Sequence, residues 1–352
     1  MKILIVAGGT GGHLYPGIAV ARALRGQEVR FCVRRGDLDR EILSKEGFVV
    51  HQIAGQGAPR AFSFKALTFP FRFVKGLFEA RTLLRTFRPD AVLAMGGYLS
   101  VPVVLDAASL GIPTLLHEQN VLPGLANRLL SRWVRSVAVS FPESTAYLKG
   151  PNVWVSGLPI RPEIGKISQI EGVARFGLSP EVDIYLIFGG SLGAERLNSL
   201  VCAAWPFVLS ANKPFQVLHV TGHRDFERIH QLYQTTQVPH KVIAYCHDMA
   251  HAYAAAKAVV CRAGASTVAE LLACGRPALL VPYPYASNDH QFYNAQLVQT
   301  SGLGQVILEK DLTPKAIADF LVNAAPGAGG AATSKPSDAA ARIAARLTSG
   351  FS

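Results

Sequence analysis

Lys2-Ile-Leu-Ile-Val-Ala-Gly-Gly-Thr-Gly-Gly-His13 decides the fold, because Tyr185-Leu-Ile-Phe-Gly-Gly-Ser-Leu-Gly-Ala-Glu195 repeats its design half a chain later. Each stretch reads as an apolar strand, a glycine turn carrying one hydroxyl, and a helix start. Such a turn aims backbone N–H groups and a helix N-terminus at one point, an arrangement suited to phosphate. Two copies predict two similar α/β domains with a ligand cleft between them.

Apolar runs alternate with helical periodicity on either side of these turns, so each domain is expected to be a doubly wound parallel sheet. Strands are predicted at 2–7, 28–33, 91–95, 114–117, 136–140 and 153–156, then at 184–188, 216–221, 241–244, 258–261, 278–281 and 304–307. Pro16 reads as a first-turn proline of a helix reaching about Leu24. Gly157-Leu-Pro-Ile-Arg-Pro162 breaks both periodicities, giving domains over 1–157 and 158–336. Ser337 reads as the N-cap of a last helix within 337–352 that is expected to pack back on the first domain.

At 352 residues, 49% apolar and 17% charged, the chain has the composition of a two-domain globular protein. Its five cysteines are scattered, which argues against a disulfide framework or a zinc site and favours a reducing compartment. Ile3 to Ala7 is too short for the apolar core of a signal peptide, and no run approaches a membrane span. The net charge of +11 is concentrated: Arg60 to Arg88 holds seven basic residues against one acid, Glu79, together with seven of the 18 phenylalanines. Cations interleaved with aromatics suit an anionic membrane surface. A core helix over 71–87 with its cations in water is the plainer alternative, and no nucleic-acid motif is present.

Gly8 to Gly12 fails the dinucleotide fingerprint, whose third glycine would fall on Leu14, and lacks the Lys-Ser/Thr of a P-loop. A nicotinamide oxidoreductase is thereby excluded. What remains is a phosphate cradle with Thr10 as hydroxyl donor and His13 beyond it, where the positive helix end favours a neutral, basic imidazole. A capping or packing role for His13 stays open. In the second half, Val259-Val-Cys-Arg-Ala-Gly-Ala-Ser-Thr-Val-Ala-Glu270 reads as strand, turn and helix start. Ala265, Ser266 and Thr267 offer N–H groups and hydroxyls there, and Glu270 offers a carboxylate to a ribose diol. Asn288-Asp-His-Gln-Phe-Tyr-Asn294 and His117-Glu-Gln-Asn120 are polar clusters at carboxyl ends of strands, where α/β sheets bind ligands. Four polar residues at 117–120 are not expected in a core. Asp37-Leu-Asp39 reads as helix capping and surface ion pairing rather than a metal–nucleotide motif.

Taken in order, Gly8-Gly-Thr-Gly-Gly-His13, Met95-Gly-Gly-Tyr98, His117-Glu-Gln-Asn120, Gly157-x-Pro-Ile-Arg161, Gly189-Gly-Ser-x-Gly-Ala194, the Cys261–Glu270 run and Asp289-His-Gln-x-x-Asn-Ala295 resemble the MurG family over essentially the whole chain. The resemblance implies a GT-B fold and a peptidoglycan N-acetylglucosaminyltransferase. Such an enzyme moves GlcNAc from UDP-GlcNAc to the 4-hydroxyl of MurNAc in undecaprenyl-diphosphate-MurNAc-pentapeptide (lipid I), with inversion, at the cytoplasmic face of the inner membrane. It implies no cofactor and no bound metal.

By the same resemblance, Ser191 and residues Ala265, Ser266, Thr267, Val268 and Ala269 meet the diphosphate, the Cys246 backbone meets uracil, and Glu270 meets the ribose. Asn120, Arg161 and Gln291 reach the donor sugar or its phosphates. Thr10, Gly11 and Gly12 line the donor site, and their loop receives the acceptor diphosphate. His13 is the expected general base, with Glu118 as the alternative. Leu158 and Leu192 stand where the family carries Asn and Gln, removing two hydrogen-bonding groups. Another GT-B transferase with a different lipid acceptor, a UDP-GlcNAc epimerase, and a non-catalytic nucleotide-binding module are the competing readings.

Overall fold

A computed structural model describes residues 1–8, 11–54, 64–190, 193–324 and 338–351. It divides into two compact units, Met1–Ile160 with Ser337–Ser352, and Arg161–Pro336.

The first unit holds β1 (Lys2–Val6), α1 (Gly11–Ala23), β2 (Glu28–Arg34), α2 (Asp37–Lys45), β3 (Val49–Ile53), α3 (Phe64–Phe87), β4 (Ala91–Ala94), α4 (Ser100–Ser109), β5 (Thr114–Glu118), α5 (Leu125–Leu130), β6 (Ser136–Val139) and β7 (Val153–Val155). All strand pairs are parallel, in the order β3-β2-β1-β4-β5-β6-β7. β1 shows why its sequence is a continuous apolar run. Ile3 and Ile5 pack into one layer with Leu14 and Ile18 of α1, while Leu4 and Val6 pack into the other with Leu84 of α3 and Val103 of α4. A strand covered on both faces has no polar side to display.

The second unit holds α6 (Gln169–Phe176), β8 (Asp183–Phe188), α7 (Glu195–Leu209), β9 (Phe215–Val220), α8 (Phe226–Gln234), β10 (His240–Ile243), α9 (Met249–Ala255), β11 (Ala258–Cys261), α10 (Ala265–Cys274), β12 (Ala278–Leu280), α11 (His290–Thr300), β13 (Gly304–Val306) and α12 (Pro314–Asn323). Its sheet is again parallel, ordered β10-β9-β8-β11-β12-β13. Tyr185 and Ile187 of β8 bury against Trp205 of α7, Ile229 of α8 and Ile317 of α12.

The last helix, α13 (Ala339–Thr348), belongs to the first unit and packs on α1. Ile343 and Leu347 are fully buried in the layer of Ile3 and Ile5, each contributing about 1.5–3 kcal/mol of apolar burial. Arg342 lies over the Trp154 ring and donates to the Val155 and Ser156 carbonyls at 3.0 and 3.4 Å.

Two local expectations need correction. Pro16 lies inside α1 rather than at its start, because the glycines themselves form the first turn. The Gly12 carbonyl consequently has no N–H to accept at that position. Asp338 is the N-cap position of α13, whereas Ser337 lies outside the described residues. β3, an edge strand, was not expected.

In each unit the strand order reverses next to its first strand, between β1 and β4 and between β8 and β11. Ligands of open α/β sheets bind beyond the carboxyl ends at such a switch. The glycine turns after β1 and β8 sit there, as do the Met95 and Arg262 turns after β4 and β11.

Candidate active site

In the first unit, α1 presents His13 in its first turn, half-buried beside the turn that follows β4. Its Nδ1 lies 2.7 Å from the Met95 carbonyl oxygen. A carbonyl only accepts, so Nδ1 carries the proton and Nε2 holds the lone pair. Gly96 and Gly97 follow with φ of +91° and +77°, the left-handed region that favours glycine. A Cβ on Gly97 would stand 3.7 Å from His13 Nε2, in van der Waals contact with that nitrogen.

His117-Glu-Gln-Asn120 corrects the expectation that four polar residues could not be core. His117, Glu118 and Gln119 are buried, with only Asn120 partly accessible. The Glu118 carboxylate is enclosed by donors: Asn120 N at 2.8 Å and Nδ2 at 3.2 Å on Oε1, Asn127 Nδ2 at 2.8 Å and Gly124 N at 3.2 Å on Oε2. Burial raises its pKa against these hydrogen bonds. A carboxylate saturated by its own loop shapes that loop. Burial pushes His117 down to about 4, so its imidazole stays neutral.

In the second unit, α10 opens at Gly264 with no side-chain cap. The first helical bond there is Val268 N to the Gly264 carbonyl at 2.9 Å, so the N–H groups of Ala265, Ser266 and Thr267 have no intrahelical acceptor. Ser266 Oγ is buried with no hydrogen-bond partner among the described residues. Val268 is core and Ala269 half-buried. One turn on, Glu270 is 8% exposed. Its Oε2 accepts from Tyr253 Oη at 3.0 Å, and its Oε1 from Arg161 Nη2 at 3.3 Å. Arg161 also donates to the His247 carbonyl at 3.0 Å, tying Glu270 to the loop that carries Cys246. Cys246 is buried, which pushes its thiol up to about 11 and leaves it neutral. Gln291 Oε1 accepts from Ala263 N at 3.2 Å and Tyr283 N at 2.9 Å, so its amide nitrogen is the end that can donate elsewhere.

Within the second unit the structure thus gathers Arg161, the α10 start, Glu270 and Gln291 around the end of β11, and Arg161 links them to the Cys246 loop. Within the first it gathers Gly11, Gly12 and His13 beside Met95, and Glu118 with Asn120. Thr10 and Ser191 lie outside the described residues, as does Leu192; Leu158 is buried. Tyr253, the partner of Glu270, carries no signal in the sequence, and Gln119 is marked there only as part of the 117–120 cluster. Among the described residues no three His, Cys, Asp or Glu side chains gather as metal ligands.

Away from these loops, α3 exposes Phe71 (80%), Val74 and Phe78 (69%) at i, i+3, i+7 spacing, on one helix face. Exposed Arg72, Lys75 and Arg85 share the helix, and its acid, Glu79, pairs with Arg35. Leu125, Leu129 and Trp133 are exposed from α5 onward, among exposed Arg128, Arg132 and Arg135. Arg60, Phe62 and the side chains of Phe64, Lys65 and Phe69 lie outside the described residues. No described helix is long and apolar enough to cross a membrane.

Residues 3–139 match the glycosyltransferase family 28 N-terminal domain and residues 184–346 its C-terminal domain. A protein of Thermoanaerobacter sp. (strain X514) is 42% identical over 322 residues, covering 89% of this chain and 88% of its own length. It is named UDP-N-acetylglucosamine--N-acetylmuramyl-(pentapeptide) pyrophosphoryl-undecaprenol N-acetylglucosamine transferase. The crystal structure of Acinetobacter baumannii MurG superposes with a TM-score of 0.75 at 27% identity, covering 99% of both chains. The UDP-GlcNAc 2-epimerase of Neisseria meningitidis, bound to UDP-GlcNAc, reaches 0.71 at 14% identity over 99% of this chain and 100% of its own, a likeness of fold alone.

Proposed function

The chain belongs to glycosyltransferase family 28, and from that premise we propose that it transfers GlcNAc from UDP-GlcNAc to the 4-hydroxyl of MurNAc in undecaprenyl-diphosphate-MurNAc-pentapeptide, the lipid-linked step of peptidoglycan synthesis. What carries the reading is one pairing in a chain matched over both halves. An uncapped helix start stands at the switch point of the second unit, and an oriented imidazole at that of the first.

The α10 N-terminus takes the donor diphosphate, with Ala265, Ser266 and Thr267 supplying N–H groups, the Ser266 hydroxyl a further donor, and Val268 and Ala269 completing the turn that holds them. Ser191 joins them. Glu270, steadied by Tyr253, accepts from the ribose hydroxyls, and the Cys246 backbone meets uracil. Arg161, Gln291 and Asn120 reach the donor sugar or its phosphates. Thr10, Gly11 and Gly12 line the donor's path, and their loop receives the acceptor diphosphate.

In the reaction the 4-hydroxyl oxygen bonds to C1 of GlcNAc on the face opposite the leaving group. The bond from C1 to the phosphate oxygen breaks, and UDP departs with its electron pair. His13 Nε2 takes the hydroxyl proton. Preorganised N–H donors at the diphosphate stabilise the charge that develops there, the largest usual source of rate. A positioned base adds about 10²–10⁴-fold.

The acceptor is a lipid, so the protein works at a surface. The apolar and basic face of α3, together with the exposed Leu125, Leu129 and Trp133, supports peripheral docking on anionic lipid at the cytoplasmic face of the inner membrane, at about 1 kcal/mol per basic residue near the headgroups. Purified protein incubated with labelled UDP-GlcNAc and a short-chain lipid I analogue tests the reading. A β-linked disaccharide lipid is expected. Donor hydrolysis or epimerisation without acceptor overturns it.

A further inference from the structure

The hydrogen bonds at His13 continue well beyond the ring. The Met95 carbonyl that holds Nδ1 belongs to a peptide followed by two left-handed glycines, Gly96 and Gly97. Glycine leaves such a peptide free to swing, so the carbonyl needs a second anchor. Gln119 provides it: Nε2 donates to the same oxygen at 2.8 Å from the buried side and also lies 3.0 Å from His117 Nδ1. His117 Nε2 in turn lies 3.3 Å from the Gly157 carbonyl.

Each proton position along this chain follows from its neighbour. Gly157 offers a carbonyl, so His117 carries its proton on Nε2 and presents a lone pair at Nδ1. Gln119 must therefore turn its NH2 inward, spending one hydrogen on His117 and the other on Met95. The Met95 oxygen then accepts from His13 Nδ1. Burial keeps His117 neutral, with a pKa near 4, so the pattern survives at neutral pH. Gln119 serves the buried His117 Nδ1 and the Met95 carbonyl at the expense of its own Oε1, which at 2% exposure of the residue has no partner among the described residues. A buried acceptor left unpaired destabilises, so the side chain gives up part of its hydrogen-bonding capacity to keep both donors on His117 and Met95.

We propose that Gln119 is a positioning residue for the transfer, pinning the Met95 carbonyl so that His13 stays in the tautomer whose Nε2 lone pair accepts the acceptor's proton. The proposal rests on His13 being the base.

Full-length protein labelled with 15N-histidine tests it, with the His13 signals assigned from a His13→Gln variant. Wild type is expected to show the proton on Nδ1 and none on Nε2. In Gln119→Met the two tautomers mix and kcat falls about tenfold or more, within the 10²–10⁴-fold that a base contributes, while KM for UDP-GlcNAc stays within twofold. A merely structural role would spread the loss to KM and leave the tautomer alone. A wild-type spectrum with the proton on Nε2, or wild-type kcat in Gln119→Met, overturns the clamp. If Gln119→Met fails to fold, Gln119→Asn keeps an amide for His117 but is one methylene too short to hold the Met95 carbonyl as well, and carries the same expectation. Full turnover by His13→Gln would instead overturn the base reading, independently of the wild-type spectrum.

Discussion

Removing one oxygen, the hydroxyl of Tyr253, tests whether the second unit is built to hold a ribose. Tyr253 is fully buried on α9, with its ring edge-on to Phe188 at 6.0 Å, so Tyr253→Phe keeps the packing and deletes only the donor to Glu270 Oε2. Glu270 keeps the Arg161 contact on Oε1 but loses what fixes its other oxygen. A hydrogen bond to a charged group contributes a net 1.5–3 kcal/mol or so. If about half of that is felt by the bound donor, KM for UDP-GlcNAc rises about three- to tenfold, at roughly 1.4 kcal/mol per decade. The acceptor-side chemistry is untouched, so kcat should stay within about twofold. Steady-state kinetics with a soluble lipid I analogue, calorimetric titration with UDP, and a thermal melt together give the answer. An unchanged KM beside a lowered Tm would refute the reasoning: the bond would then serve the core, and Glu270 would not be the ribose ligand.

Gly97→Ala places a methyl 3.7 Å from His13 Nε2 on a backbone at φ +77°. It should cost about 1–2 kcal/mol of stability and lower kcat at least about tenfold; an unaltered kcat would show that the hydroxyl approaches from elsewhere. Phe71→Ser with Phe78→Ser removes two exposed aromatics from α3. Co-sedimentation with anionic vesicles should drop severalfold while turnover of a soluble acceptor holds, and undiminished sedimentation would move the membrane contact off α3. His219 is fully buried against Tyr233 and Asn198, which lowers its pKa to about 3. The unfolded chain therefore protonates it first as pH falls below about 6.5, and stability present above that value is lost on the way down toward 3. Between pH 7 and pH 5 this one group costs on the order of 2 kcal/mol. Urea unfolding of His219→Asn should show a correspondingly smaller loss over that interval, and an identical loss would contradict the assignment.

Both sheets were legible because their strands are covered on both faces and so read as apolar runs between glycine turns. The exception is β3, Val49-Val-His-Gln-Ile53, an edge strand whose first valine is 54% exposed and whose centre mixes polar and apolar residues. Glycine turns and the α10 start were visible as local patterns, since helix termini and tight turns are made by neighbours in sequence. Their partners were not. Tyr253 sits in Met249-Ala-His-Ala-Tyr-Ala-Ala255 and reads as core, because the carboxylate that needs its hydroxyl is 17 residues away. His117 and Gln119 read as too polar to bury, because the carbonyls of Gly157 and Met95 that satisfy them are supplied by other strands' ends, while Glu118 is satisfied by donors of the loop that follows it. Pro16 misled for the opposite reason: the usual preference for proline at a helix start was overridden by glycines that had already begun the helix.

The return of α13 to the first unit reverses the order in which the halves mature during synthesis. Ile3 and Ile5 leave the ribosome early, yet the layer they join is finished by Ile343, Ala344, Leu347 and Phe351. Residues 161–336 are contiguous in the chain and can condense as soon as they emerge. The half translated first therefore waits, with one face of its sheet partly uncovered, until the final turns are made. A nonsense mutation only a dozen codons from Phe351 would leave the later-made half whole and deprive the earlier one of its closing layer.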